Sequence, residues 1–166
     1  MTTWGGGQTH TNELYFIGTR ENPVSTPICN SLAQNPLGTF RLQEYTSYNW
    51  VAASSTNTNL TATLSSNADA AIFNSTFIPN SSKLQLTSTG QYVTADGSGD
   101  YALSATRTTA SAWEQFIIRQ KSGAPGGVYS ILAVSNSLYV TISSEGWLIN
   151  NGEVEADSAG FYFVKS

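Results

Sequence analysis

The sequence predicts an all-β protein made of three copies of one β module, and two observations carry this prediction. Helical periodicity is absent along the chain, whereas the alternation of apolar and polar residues, as at Leu84 and Leu86, is typical of strands. In addition, one pattern of large apolar residues recurs. Each copy contains a valine preceded by an aromatic residue, at Trp50-Val51, Tyr92-Val93 and Tyr139-Val140.

The spacing of apolar residues around each valine makes the three copies equivalent. An aliphatic residue lies nine positions before the valine, at Leu42, Leu84 and Ile131. A leucine follows the valine after eight to ten positions, and a phenylalanine follows that leucine after thirteen; these residues are Leu60, Leu103, Leu148, Phe73, Phe116 and Phe161. Constant spacings indicate strands that pack identically, and the variable one indicates a hairpin loop. Three β repeats of this length predict a closed barrel with pseudo-threefold symmetry, the β-trefoil.

The repeats divide the chain into a body and a leader. We predict that the trefoil covers residues 39–166, with repeats at about 39–80, 81–127 and 128–166. Residues 1–38 do not fit the repeat, and we interpret them as an N-terminal extension or linker that contributes one extra strand at residues 13–18. The alternative is that they are the tail of a preceding domain.

Composition restricts the classes of partner. The 166 residues carry a net charge of −4 with only 11% charged residues, which disfavours nucleic acid as a partner. No apolar run approaches the length of a membrane span, so no membrane partner is predicted. The single cysteine, Cys29, allows no internal disulfide, and a monomer is the expected state.

The residue inventory predicts no enzyme, no cofactor and no metal site. The one histidine, His10, lies in the glycine-rich leader, where a catalytic triad has no rigid support. Most carboxylates stand alone in the sequence. The acidic segment 153–157 lacks the spacing of a calcium loop, and we interpret it as a solvated turn.

The hairpin loops carry the residues that we predict to bind carbohydrate. The loop of the second repeat holds Asp96, Asp100 and Tyr101, and that of the third holds Glu145 and Trp147. An aromatic ring can stack on the apolar face of a sugar, and a carboxylate can accept hydrogen bonds from its hydroxyls. Trp147 precedes Leu148 of the buried pattern, so alternation directs its indole outward. Tyr101 has the parity of Leu103, so capping of the barrel is its alternative role.

Other aromatic residues receive different predictions. Trp50 and Trp113 occupy repeated positions beside core residues and are predicted to be buried. Tyr45, Tyr48 and Asn49 form an alternative polar-aromatic patch on the first hairpin.

Three N-glycosylation sequons, at Asn59, Asn74 and Asn80, favour a secreted protein. No signal peptide opens the chain, so Met1 marks either a cytosolic protein or an expressed fragment. A free-standing lectin would be cytoplasmic.

The second copy, GQYVTADGSGDYALSATRTTASAWEQF, resembles the repeats of the fascin-like (actin-crosslinking) β-trefoil superfamily. The third copy, SLYVTISSEGWLINNGEVEADSAGFYF, and the first, YNWVAASSTNTNLTATLSSNADAAIF, match the same outline more loosely. The resemblance implies the trefoil fold over residues 39–166 and leaves the function open, because trefoils host many functions. The low charge and the abundance of Asn, Ser and Thr also look like accessory trefoils of secreted fungal glycoside hydrolases.

These observations favour a non-catalytic carbohydrate-binding module or lectin for a cell-wall polysaccharide such as a glucan. A trefoil protease inhibitor is the alternative, with loops 121–127 and 54–59 as its candidate reactive loops. A fascin-like interaction module is a third reading, although the excess of acidic over basic residues opposes docking on an acidic filament.

Overall fold

The computed structural model describes residues 38–56, 58–78 and 80–166. The extra strand predicted at residues 13–18, and with it most of the predicted extension, lies outside these residues. The described residues contain strands and short 3-10 turns but no α-helix, which confirms the all-β prediction. The strands are β1 Thr39–Glu44, β2 Trp50–Ala53, β3 Leu60–Leu64, β4 Phe73–Ile78, β5 Ser81–Leu86, β6 Gln91–Thr94, β7 Ser104–Arg107, β8 Gln115–Gln120, β9 Tyr129–Ala133, β10 Tyr139–Ile142, β11 Leu148–Gly152 and β12 Phe161–Lys165.

Six of the strands close into an antiparallel barrel. The pairing runs from β1 to β4, β5, β8, β9 and β12, and β12 pairs back with β1. The other six form three hairpins, β2–β3, β6–β7 and β10–β11. Each hairpin shifts register at the aromatic residue before the repeated valine, so the three modules share even this irregularity. The fold is a β-trefoil, as the repeat spacing predicts.

The repeated apolar positions form the core of this barrel. Every one of the twelve is at most 3% exposed: Leu42, Leu84, Ile131, Val51, Val93, Val140, Leu60, Leu103, Leu148, Phe73, Phe116 and Phe161. Burial of one such side chain contributes roughly 1.5–3 kcal/mol. The fixed spacings therefore reflect the sites that contribute most to the stability of the fold.

The three hairpins meet at the pseudo-threefold axis. The Leu60 amide donates to the Leu103 carbonyl at 2.8 Å, and the Leu103 amide donates to the Leu148 carbonyl at 2.7 Å. Two residues after these leucines stand Ala62, Ala105 and Asn150. Asn150 is fully buried, and neither its amide oxygen nor its amide nitrogen has a hydrogen-bond partner among the described residues.

The prediction that Trp113 belongs to the core is wrong, since 39% of this residue is exposed. Trp113 precedes β8 and lies in a 3-10 turn, Ala112–Glu114, so the alternation of the strand does not extend to it. The Glu114 carboxylate turns inward instead and accepts hydrogen bonds from the Ser111 amide at 2.6 Å and the Ser111 hydroxyl at 2.8 Å. Trp50 is half-buried rather than buried, because it occupies the register shift of β2.

Two of the three sequon asparagines are exposed. Asn74 lies on β4 and Asn80 precedes β5, and both side chains face solvent, whereas Asn59 is half-buried in the first hairpin. Among the residues that the structure describes, no helix has the length and apolar character needed to span a bilayer.

Candidate functional site

A groove of about 540 Å³ lies where the third repeat meets the first. One wall is the turn after β1, the opposite wall is the loop between β10 and β11, and β3 forms part of the floor. We call it the junction groove. Its lining residues are Glu44, Thr46, Ser47, Asn49, Ala62, Thr63, Thr141, Ile142, Ser143, Ser144, Glu145, Gly146, Asp157, Ser158 and Ala159.

A smaller cleft of about 230 Å³ occupies the corresponding position where the first repeat meets the second. The correspondence follows from the core positions: Asp157 lies four residues before Phe161, and Asp69 of the smaller cleft lies four before Phe73. The smaller cleft is lined by Ala53, Asp69, Ala70, Ala71, Ile72, Leu86, Thr87 and Ser88. Equivalent positions in the fold therefore form a larger, more polar groove at one junction and a smaller cleft at another.

Glu44 is the residue that most clearly distinguishes the junction groove. It stands two residues after Leu42, where the other repeats have Leu86 and Ala133. Glu44 is only 6% exposed. Its carboxylate accepts hydrogen bonds from the Thr46 amide at 2.9 Å and the Ser47 hydroxyl at 2.7 Å. Burial raises the pKa of Glu44, but the hydrogen bonds from Ser47 and Thr46 outweigh it and hold the pKa below its ordinary value of 4.5. Glu44 is thus a fixed anion at the base of the turn.

The loop between β10 and β11 is held in a tight turn against β3. The Ser143 amide donates to the Trp147 carbonyl and the Gly146 amide to the Ser143 carbonyl, both at 2.9 Å. Gly146 has a φ of +87°, and a Cβ there would lie 2.5 Å from the Thr63 methyl carbon. Glycine is required by both the backbone and the space. The Ala62 amide also donates to the Gly146 carbonyl at 2.8 Å, which fixes the wall of the groove.

This turn brings together the two binding residues predicted in the third repeat. The indole nitrogen of Trp147 donates to a carboxylate oxygen of Glu145 at 3.0 Å. Glu145 is exposed and lines the groove, while Trp147 is half-buried and does not line it. The indole lies outside the core, as alternation predicts, and its contact is with the carboxylate that borders the groove.

The remaining acidic residue of the groove is Asp157, which sequence reasoning assigned to a solvated turn. The residue is indeed exposed, but it also lines the groove. Lys121 holds the turn that contains Asp157. Its ammonium group donates to the Glu155 carbonyl at 2.7 Å and to the Ser158 hydroxyl at 2.9 Å. The residues of this wall are therefore in place before any ligand arrives.

The predicted residues of the second repeat lie elsewhere. The Asp96 carboxylate forms an exposed ion pair with the Arg107 guanidinium group, with a nitrogen–oxygen distance of 3.2 Å. Asp100 is also exposed. Tyr101 is 67% exposed, and its ring covers Gly97 so closely that a Cβ there would lie 2.2 Å from it. Tyr101 therefore does not cap the barrel. None of the three lines the junction groove, and their role in sugar binding stays a prediction.

Sequence reasoning missed Glu44, Asp157 and most of the hydroxyl groups of the groove. The available signal was the break in the repeat, because an acid at position 44 replaces a core leucine or alanine. Within the described residues, no group of three His, Cys, Asp or Glu side chains is placed to hold a metal ion.

The chemistry of the groove is that of an acidic hydrogen-bonding surface, in which three carboxylates stand against the Lys121 ammonium that bonds to Ser158. Its lining includes three carboxylates and several hydroxyls, with aliphatic carbon from residues such as Ile142, and it contains no lysine or arginine. Such a surface accepts hydrogen bonds from hydroxyl-rich neutral molecules and repels anions.

No protein-family model matches the chain, and no curated protein matches it in sequence. Solved structures do match. The designed threefold-symmetric protein ThreeFoil aligns with a TM-score of 0.64 at 12% identity, over 78% of this chain and 99% of that one. SeviL bound to the asialo-GM1 saccharide aligns with a TM-score of 0.62 at 14% identity, over 78% of this chain and 98% of that one.

A GH43 β-1,3-galactosidase aligns with a TM-score of 0.60 at 19% identity, over 77% of this chain. That alignment covers 27% of the galactosidase, so the chain spans about a quarter of its length. At these identities the likeness concerns architecture, and the three alignments agree with the closed barrel and hairpins described above. The chain has the β-trefoil fold.

Proposed function

We propose that this protein is a non-catalytic carbohydrate-binding module that holds a neutral sugar in the junction groove. The observation that carries the proposal is the lining of the groove, in which Glu44, Glu145 and Asp157 accompany hydroxyl groups and no cationic side chain. Sugar hydroxyls are good donors to carboxylates, and the aliphatic carbon of Ile142 suits the apolar face of a pyranose. The absence of lysine and arginine from this lining opposes phosphorylated or sialylated ligands.

The state of Glu44 opposes its use as the proton donor of a glycosidase. A glycosidase needs a carboxylic acid that stays protonated near neutral pH, which requires a raised pKa. The pKa of Glu44 is instead lowered, because hydrogen bonds from Ser47 and Thr46 outweigh burial. Its carboxylate already accepts hydrogen bonds from its own turn, so Glu145 and Asp157 are the exposed acceptors of the groove.

The solved structures that resemble this chain suggest which classes of sugar to test. SeviL was solved with the asialo-GM1 saccharide, and the matched part of the GH43 β-1,3-galactosidase is a fraction of a longer enzyme. The names of these neighbours suggest galactose-containing glycans, whereas the resemblance to accessory trefoils of secreted fungal glycoside hydrolases suggests a cell-wall glucan. Attachment to a secreted fungal glycoside hydrolase would suit either polysaccharide.

The inhibitor alternative stays a prediction, but Lys121 is not free to be the inserting side chain of loop 121–127. A lysine that enters a protease pocket must have a free side chain, but Lys121 is half-buried and its ammonium group is bonded to Glu155 and Ser158. The fascin-like reading gains no contact or charge pattern from the described residues.

Retention on immobilised galactan, β-1,3-glucan and chitin tests the proposal. We expect the wild type to be retained on one of them, and Asp157→Asn to bind about tenfold more weakly, the loss of about 1.4 kcal/mol. Asp69→Asn is the matched control, since it alters the equivalent exposed carboxylate of the smaller cleft. Tyr101→Ala tests the second hairpin in the same assay. Failure of the wild type to bind any of the three polymers would remove the proposed function.

A further inference from the structure

The turn after β1 has two sides, and only one of them faces the junction groove. Thr46, Ser47 and Asn49 line the groove, whereas Tyr45 and Tyr48 do not. Tyr162, on β12, lies beside them because β12 pairs with β1. We call Tyr45, Tyr48 and Tyr162 the tyrosine cluster.

Backbone contacts fix the positions of these tyrosines. The Tyr45 amide donates to the Gly160 carbonyl at 2.8 Å, and the ring of Tyr45 meets that of Tyr162 edge to face, with centroids 6.0 Å apart. The Gln43 side chain donates to the Tyr48 carbonyl at 2.9 Å. Partial burial raises the pKa of Tyr162 above its ordinary value of 10.0, and the phenols of Tyr48 and Tyr45 raise it further, which agrees with their proximity.

Tyr48 adopts a backbone conformation that bulky residues rarely use. Its φ is +60°, and the equivalent positions, three residues before the repeated valines, are Gly90 at +69° and Ser137 at +60°. The turn thus requires left-handed backbone in all three repeats, and glycine meets this requirement without strain. The first and third repeats accept this strain, and the first does so with a bulky tyrosine that is 59% exposed. A tyrosine at position 48 neither stabilises the turn nor enlarges the core, so stability does not explain its presence there.

The other two members of the cluster are also confined to this junction. Thr87 and Val134 occupy the positions equivalent to Tyr45, and Asn74 and Ile117 those equivalent to Tyr162. The three tyrosines therefore coincide with the junction that carries the larger, polar groove, and Tyr45 and Tyr48 lie in the turn that borders it.

We propose that the tyrosine cluster is a second, sugar-stacking subsite, so that the site takes an oligosaccharide running from the junction groove across the turn. The exposed ring of Tyr48, flanked by the half-buried rings of Tyr45 and Tyr162, offers an apolar face to a pyranose, and the phenol groups can bond its hydroxyls. A single sugar in the groove would leave the cluster unused. This inference rests on the carbohydrate-binding function proposed above.

Tyr48→Gly tests the subsite without threatening the fold. Glycine relieves the left-handed strain, so we expect the melting temperature to rise by about 2–4 °C. Ser137→Gly is the matched control at the equivalent turn of the third repeat, with a similar rise in stability. Calorimetric titration would measure each variant with glucose, galactose, N-acetylglucosamine, laminaritetraose, β-1,4-galactotetraose and chitotetraose.

We expect Tyr48→Gly to weaken tetrasaccharide binding about tenfold and to leave monosaccharide binding unchanged. Tyr48→Phe should retain most of the tetrasaccharide affinity, and Ser137→Gly all of it. Wild-type tetrasaccharide affinity in Tyr48→Gly would overturn the subsite and leave the groove intact. A wild-type protein that binds none of the six sugars would overturn both the groove and the subsite.

Discussion

The indole nitrogen of Trp147 donates a hydrogen bond to the carboxylate of Glu145 across 3.0 Å. Because Glu145 lines the junction groove and Trp147 does not, the indole holds an acid that faces the proposed ligand. In the proposed site Trp147 would position Glu145, and its role as a stacking platform stays a prediction.

Trp147→Phe keeps an aromatic ring at this position and removes the N–H donor. We expect sugar affinity to fall about fivefold, or roughly 1 kcal/mol, because Glu145 loses the bond that orients it. Titration of Trp147→Phe, Glu145→Gln and the double variant gives a mutant cycle. If Glu145→Gln weakens binding while Trp147→Phe does not, the carboxylate acts without the indole.

Glu44→Gln should destabilise the fold by about 2 kcal/mol at neutral pH, because an amide group would face the donors of Thr46 and Ser47. The pKa of Glu44 is lowered from 4.5 in the folded protein, so its contribution is full above that pH and is lost as the pH falls through the folded value. Urea unfolding at pH values from 7 to 3 measures the free energy of unfolding of the wild type and of Glu44→Gln.

The gap between wild type and Glu44→Gln should therefore narrow below about pH 4.5. Glu153→Gln, at an exposed residue, is the control and should change stability little at any pH. A gap that stays constant down to pH 3 would mean that the ionised form of Glu44 makes no special contribution.

Asn150→Ala should raise the free energy of unfolding by about 1 kcal/mol. The amide of Asn150 is fully buried without a partner among the described residues, and an unpaired buried polar group is costly. Alanine already fills the equivalent positions, Ala62 and Ala105. Denaturant unfolding measures the free energy of unfolding of the wild type and of Asn150→Ala. Asn67→Ala, which changes an exposed asparagine, is the control and shows the effect of the same substitution at the surface. A loss of stability would show that the Asn150 amide makes a favourable interaction in solution.

Expression through a secretory pathway should place glycans on Asn74 and Asn80, which are exposed, and leave the half-buried Asn59 unmodified. Mass measurement before and after enzymatic deglycosylation, with Asn→Gln variants at each position, checks this. Asn74 occupies the position equivalent to Tyr162 at a different junction, so removal of its glycan should leave sugar binding unchanged. Modification of Asn59 would contradict the expectation.

The sequence predicts the barrel well because the core repeats. Residues such as Val51 and Phe73 face the same packing constraints in every module, so identical spacing reveals them and the structure buries them all. The burial of Trp113 could not be predicted in this way. It lies before its strand, in a turn that is fixed by the Ser111–Glu114 hydrogen bonds.

The candidate site was harder to predict, because it forms where the last repeat closes on the first. Glu44 and Asp157 are far apart in sequence and line the same groove only once β12 pairs with β1. Their separate contexts, a strand end and an acidic run, each suggest a surface residue. The hairpin pair Glu145 and Trp147 was found because those residues are neighbours in sequence.

The departure from symmetry at position 44 has a consequence for valency. Glu44 and the three tyrosines mark one junction, whereas Leu86 stands in the corresponding cleft at the next. A trefoil with identical junctions would bridge several glycan chains and agglutinate cells. Because these two junctions differ, the junction groove and its tyrosine cluster should hold one glycan chain, as an anchor does rather than a crosslinker.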